Sequence, residues 1–172
     1  PGWVHVDLCD MPHIDHKTSI DDLSMFDDAS ADLIYSSHSF PYFDRQEAVG
    51  VLAEWHRVLK PGGTLRLAVT DFDGILKVYA KTGELGKILG PLFGRMEIET
   101  PEGPKTIYEK TTYNFADLSQ LLEDNGFSNV HRYDWRQTIH KDYDDHSQAY
   151  FPHMDKENGI HISLNVEATK IG

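Results

Sequence analysis

The sequence predicts an α/β domain built on a mostly parallel sheet. Three observations carry that reading. Short β-branched runs alternate with stretches of helical period, which is the pattern of strands joined by crossover helices. The run Asp32-Leu-Ile-Tyr-Ser36 is compact and apolar, as a strand buried on both faces should be. The chain has 172 residues, 40 % of them hydrophobic, enough for one packed core and too much for a disordered chain. One domain spanning 1–172 is expected.

The elements follow in order. The chain opens abruptly on Pro1-Gly2-Trp3, already close to a strand over Trp3 to Leu8 that carries Asp7 near its end. A polar stretch leads to a short strand near Thr18 to Ile20. Asp27-Asp28-Ala29-Ser30 reads as a turn, before the Asp32 strand. Asp44, with Glu47 three residues on, has capping-box spacing. Ala48, Val51, Leu52, Trp55 and Leu59 then repeat at helical spacing, and Pro61-Gly62-Gly63 is expected to stop the helix. Thr64 to Val69 is the next strand, and a second helix runs from about Phe72 to Thr82. Residues 83–112 hold five glycines and three prolines and read as an irregular insertion with one short helix near Leu85 to Leu89. Asn114 caps a helix over Phe115 to Asp124, and Gly126 supplies its left-handed stop. Val130 to Trp135 is a strand, His140 to Asn158 a polar acidic loop, and Ile160 to Lys170 the last strand. Strands and helices in this order imply a sheet covered on both faces.

Charge narrows the function classes. Sixteen Lys and Arg against 28 Asp and Glu give −12, without the basic stripe of a nucleic-acid binder. One cysteine, Cys9, excludes an internal disulfide framework and fits a reducing compartment. No apolar run reaches bilayer length, and the first residues are not a signal peptide, so a cytoplasmic, membrane-free location is expected.

The stretch Asp32-Leu-Ile-Tyr-Ser-Ser-His38, followed by a capped helix and Arg57-Val-Leu-Lys-Pro-Gly-Gly63 before a strand, resembles the class I S-adenosylmethionine-dependent methyltransferases. The resemblance covers nearly the whole chain, and Ser163 to Lys170 looks like that family's antiparallel last strand. It implies a Rossmann-like methyltransferase fold. It also implies methyl transfer from S-adenosylmethionine to a small-molecule acceptor or a glycan precursor. In open parallel sheets ligands sit beyond the carboxyl ends of the strands, where an acidic side chain can accept from a ribose diol. Asp7 fits that role, and Leu8 would lie against the adenine. By the resemblance, Ser19 and Ile20 border the adenine edge, and Ser36 and Ser37 line the methionine part. His38 would face the methyl group as a catalytic base. Relatives often carry Glu-His a little further on, whereas this chain continues His38-Ser39-Phe40-Pro41-Tyr42-Phe43. The insertion 83–112 is expected to cover the acceptor pocket.

Each reading has a plainer rival. Asp7 can be a turn carboxylate, His38 a loop hydrogen-bond donor, and Trp55 a core residue. His131, Tyr133 and Trp135 share one strand face and are expected to be core or helix contacts. His140, His146, His153 and His161, with Asp142, Asp144, Asp145 and Asp155, invite a metal site, as do Asp10, His13, Asp15 and His16. They lack zincin, knuckle or EF-hand spacing, so a solvated acidic loop is the expectation.

The resemblance also exposes a gap. The family's first strand, with its Gly-x-Gly turn, should precede Pro1, and no Gly-x-Gly occurs in this chain. Three outcomes are expected for this missing first strand. The second strand closes against the fourth, a homodimer completes the sheet, or the chain is a fragment. The rival to an enzyme is a non-catalytic methyltransferase-fold interaction domain that has lost cofactor binding. A metal enzyme using the His/Asp loop, or a dehydrogenase with the same absent Gly-rich turn, ranks below both.

Overall fold

The computed structural model describes residues 2–100 and 103–172. Strands β1 (Val6–Asp7), β2 (His16–Lys17) and β3 (Ala31–Ser37) lead to helix α1 (Glu47–Val58). Strand β4 (Leu59–Thr70), helices α2 (Phe72–Thr82) and α3 (Gly86–Phe93), and strands β5 (Met96–Thr100) and β6 (Gly103–Ile107) follow. Helix α4 (Phe115–Asp124) precedes β7 (Phe127–Arg132), β8 (Tyr150–Phe151), β9 (Ile160–His161) and β10 (Ser163–Lys170). The main sheet has four strands in the order β3-β4-β10-β7. β3 runs parallel to β4, and β10 runs antiparallel to both its neighbours. Three of the four strands therefore share one direction, and the last is reversed as expected.

Alternation along β4 divides the sheet. Leu65, Leu67 and Val69 point to one face, beside Ile34 of β3 and Leu164, Val166 and Ala168 of β10. Val51, Leu52 and Trp55 of α1 and Leu118 and Leu122 of α4 close that face into the main core. The opposite face carries Tyr35, Ser37, Arg66, Asn165 and Glu167, and helices do not cover it as the alternation had implied. Residues 135–148 lie there instead. His140 stacks on Tyr35 at 4.2 Å, and Ser147 and Gln148 are fully buried. The expected solvated acidic loop is thus a cover, because the buried polar groups of the sheet need partners.

The α1 capping box forms with Asp in place of Ser or Thr. Asp44 Oδ1 accepts from the Glu47 amide at 2.9 Å, and Glu47 Oε2 accepts from the Asp44 amide at 2.8 Å. The helix ends at Val58, earlier than Pro61-Gly62-Gly63, which lie inside β4. They form a bulge, since pairing with β3 jumps from Ala31–Leu59 to Leu33–Thr64. A side chain at Gly63 would place its Cβ 2.8 Å from the Lys60 carbonyl, so the bulge needs glycine there.

Other expectations shift. The Trp3–Leu8 strand shortens to Val6–Asp7, because Trp3, Val4 and His5 are exposed and lack a ladder. Its partner is His16–Lys17 rather than Thr18–Ile20. The irregular insertion contains the β5–β6 hairpin. The expected strand Val130–Trp135 begins earlier, at Phe127. Trp135 enters a 3-10 turn capped by Asp134, so it does not share a strand face with His131. The β1–β2 pair forms its own two-stranded sheet, and among the described residues no ladder joins β1 to β3. The closing of the second strand against the fourth is therefore not seen. Pro1, on which the abrupt start was read, lies outside the described residues, as do residues 101–102 of the insertion. No helix among the described residues is long and apolar enough to cross a membrane.

Two side chains of α1 fasten the β1–β2 unit and its link to β3. Trp55 Nε1 donates to the Ile20 carbonyl at 2.8 Å. Arg57 donates to the carbonyls of Leu23 and Phe26 and pairs with Glu54 and Asp28. Trp55 is 1 % exposed, so it is core as expected. Trp55→Ala should lower the unfolding free energy by about 3–5 kcal/mol in urea melts. Trp55→Phe, which keeps a ring but drops the donor, should lose only about 1 kcal/mol.

Candidate functional site

Two groups of side chains gather at the carboxyl ends of the strands. The first is built by the β1–β2 pair. Asp7 ends β1, and its carbonyl accepts from Thr18 at 3.0 Å, which draws Ser19 and Ile20 beside Asp7 and Leu8. Asp7 Oδ1 accepts from the Cys9 amide at 2.7 Å, and the Cys9 thiol also meets the carboxylate. A half-buried carboxylate can accept from a diol, so Asp7 fits the nucleoside end of the expected cofactor. Leu8 is 40 % exposed and offers an apolar surface there. Ser19 and Ile20 are half-buried, and Ile20 also leans on the main core.

The second group follows β3. Alternation sends Ser36 and Ser37 to opposite faces. Ser36 is buried on the apolar side and shares a hydrogen bond of 2.6 Å with Ser39. The Ser37 hydroxyl is buried beside the Tyr35 phenol with no well-formed hydrogen bond of its own. That leaves a polar atom free at the end of β3 for a ligand's polar group.

His38 has φ 55, in the left-handed region, and is held there by its amide bond to the Ala68 carbonyl. Its Nε2 lies 3.0 Å from Ser163 Oγ. Ser163 donates its only proton to Asn165 Oδ1, and Asn165 Nδ2 donates to the Ser147 carbonyl. With that proton spent, His38 Nε2 is placed as the donor to Ser163, and the ring also meets the His146 backbone. The residue as a whole is only half-buried, but its imidazole is crowded and meets His146 edge-on at 5.4 Å. Desolvation first, and then the charges His146 and His161 would carry, push its pKa down to about 3. His38 is a neutral imidazole at ordinary pH.

A buried hydrogen-bonded cluster lies behind it. Tyr35 donates to Asp145 at 2.6 Å across 110 residues, and burial followed by that bond raises the phenol pKa. Arg66 pairs with Glu167 at 2.5 Å and approaches His140 Nδ1 at 3.3 Å. Among the described residues, the histidines weighed as metal ligands do not gather into a ligand set. His140 stacks on Tyr35, His161 donates to the Ser147 carbonyl, and His146 faces His38.

The sequence reading missed Glu109, which lies in the insertion with no motif around it. It is 8 % exposed, and Thr70 Oγ1 lies 3.1 Å from its Oε2. Burial pushes its pKa up to about 7, against the opposing pull of Thr70. Gly94 and Lys110 are tied to the turn after β3, since Tyr42 donates to the Gly94 carbonyl and the Lys110 amide to that of Pro41.

A family model described as a methyltransferase domain matches residues 7–67, from the end of β1 into β4. No curated protein matches the sequence. Solved structures share the fold at low identity. One belongs to the Haloferax volcanii complex between the Trm112 methyltransferase activator and a methyltransferase. It has 18 % identity and a TM-score of 0.53, over 95 % of this chain and 64 % of that one. A second is the Burkholderia thailandensis 1,6-didemethyltoxoflavin-N1-methyltransferase, solved with 1,6-didemethyltoxoflavin and S-adenosylhomocysteine. It has 14 % identity and a TM-score of 0.54, over 97 % of this chain and 60 % of that one. A third is a SAM-dependent methyltransferase from Methanosarcina mazei. It has 20 % identity and a TM-score of 0.50, over 94 % and 73 %. This chain thus spans less than two thirds of the length of the first two.

The His38 assignment has a pH consequence. Its folded pKa lies below the ordinary imidazole value of 6.5, so the stability it contributes is full above about 6.5 and is lost as pH falls toward about 3. Unfolding free energy should drop by up to about 1.4 kcal/mol per pH unit in that window. His38→Asn should flatten this part of the curve, as read by urea melts at stepped pH.

Proposed function

We propose that this chain, whose residues 7–67 match a methyltransferase-domain family model, is a class I S-adenosylmethionine-dependent methyltransferase that transfers a methyl group to a small-molecule acceptor. The observation that carries the reading is the match itself, which joins the Asp7 end of β1, the end of β3 and the start of β4 in one segment. Bound S-adenosylmethionine would supply an electrophilic methyl group on a cationic sulfur. Asp7 would accept from its ribose, with Leu8, Ser19 and Ile20 around the base. Ser37 would offer its buried hydroxyl to the amino-acid end. Ser36, tied to Ser39, would shape the floor beneath.

His38 would orient the acceptor. Its ring, anchored through Nε2 on Ser163 and set against His146, would shape the acceptor side. Its low proton affinity suits it to holding a nucleophile in line rather than storing the proton. The insertion 83–112 would close the acceptor side.

Calorimetric titration of the chain with S-adenosylmethionine and with S-adenosylhomocysteine tests the reading. Binding at sub-millimolar concentration is expected. Asp7→Ala should weaken it about 10- to 100-fold, the value of a hydrogen bond to a charged group. Heat absent for both ligands would leave the non-catalytic interaction domain as the better account.

A further inference from the structure

Glu109, Thr70 and Pro91 form a relay whose hydrogen-bond accounting depends on one proton. Thr70 is 2 % exposed and its hydroxyl has a single proton. Two acceptors stand at 3.1 Å from Thr70 Oγ1, the Pro91 carbonyl and Glu109 Oε2. With Glu109 protonated, every group is satisfied: the carboxyl donates to Thr70, and Thr70 donates to Pro91. With Glu109 ionised, Thr70 must turn to the carboxylate. The Pro91 carbonyl then loses its partner, and a buried charge is left with one donor.

The surroundings are shaped around this carboxyl. A Cβ at Gly94 would sit 2.6 Å from Glu109 Oε1, so the glycine leaves the room the carboxyl occupies. The Glu109 amide donates to the Phe93 carbonyl at 2.9 Å. The relay thereby joins the end of β4 both to the last turn of α3 and to the segment at Glu109–Lys110.

Charges on the neighbouring elements are committed elsewhere. Tyr42, from the turn after β3, is the titratable group facing Glu109, and burial together with Glu109 raises its pKa. Lys110 pairs with Glu47 of α1, Arg45 with Asp117 of α4, and Asp71 after β4 with Arg132 of β7. On α3 and just beyond it, Lys87 pairs with Glu84, and Arg95 lies near Glu97. None of these cations neutralises Glu109.

We propose that Glu109, Thr70 and Pro91 form a proton-controlled latch that holds a strap made of Pro91–Gly94 and Glu109–Lys110 against the end of β4, closed when Glu109 is protonated and loosened when it ionises. The strap opens toward neutral pH and closes in acid. This stands whether or not the chain transfers methyl groups.

Amide hydrogen exchange on the full chain, read by NMR at stepped pH and corrected for intrinsic rates, tests the latch through the amides of Gly94, Glu109 and Lys110. An open strap returns Glu109 to an ordinary carboxyl pKa. Opening should therefore grow about tenfold per pH unit from 4.5 to about 7 and then level off. Glu109→Gln donates the same hydrogen bond but cannot ionise, so its protection should stay flat over that window. Thr70→Val, lacking the central hydroxyl, should show weak strap protection at every pH. Parallel pH profiles for the wild type and Glu109→Gln would overturn the latch. So would a Glu109 carboxyl that titrates in the ordinary range by carbon-13 NMR.

Discussion

The structure depends on the alternation of side chains along β4. Leu65, Leu67 and Val69 commit one face of the sheet to apolar packing, and Arg66 and Thr70 commit the other to hydrogen bonding. Because side chains in a strand repeat every two residues, a slip of one residue would exchange the two faces. The Gly63 bulge therefore matters beyond its local geometry. It absorbs extra residues before the ladder with β3 settles, so Leu33 meets Thr64 and the two faces stay in phase across β3, β4 and β10.

The candidate site inherits its character from this division. The apolar side needs only helices to close it. The polar side needs specific partners, and residues 135–148 provide them with rings, carbonyls and one acidic side chain. His38 stands where the two meet, and its proton state is decided by the chain from Ser163 through Asn165 to the Ser147 carbonyl. A residue placed by sequence resemblance as a base is, in its folded setting, a neutral imidazole whose Nε2 meets Ser163. Glu109 is the reverse case, a carboxyl with no motif around it that acquires a near-neutral pKa from burial alone.

Much of the fold was legible in the sequence, and the reason is local. Helix α2 at Phe72–Thr82 and helix α4 at Phe115–Asp124 fall where caps, period and a closing glycine put them. β3 and the reversed last strand were equally plain. The misreadings share another cause. The β5–β6 hairpin, the early start of β7 and the buried loop after Thr138 are fixed by partners far along the chain. Tyr35 and Asp145, 110 residues apart, show how little of such a contact local sequence carries. Of the candidate site, the place of Asp7 at the end of β1 followed from strand-end logic. Neither the opposite facing of Ser36 and Ser37 nor the setting of His38 could be read without the register of the sheet.

The unequal covering of the sheet also bears on how the chain responds to temperature. Burying apolar surface gives unfolding a large positive heat capacity, while burying polar surface works against it. A face closed by helices adds to the curvature of the stability curve, and a face closed by Tyr35, His140, Arg66 and Asn165 subtracts from it. The two halves of one sheet thus follow different thermal laws. The apolar half weakens on cooling, and the polar half, held by directional bonds, keeps its grip in the cold.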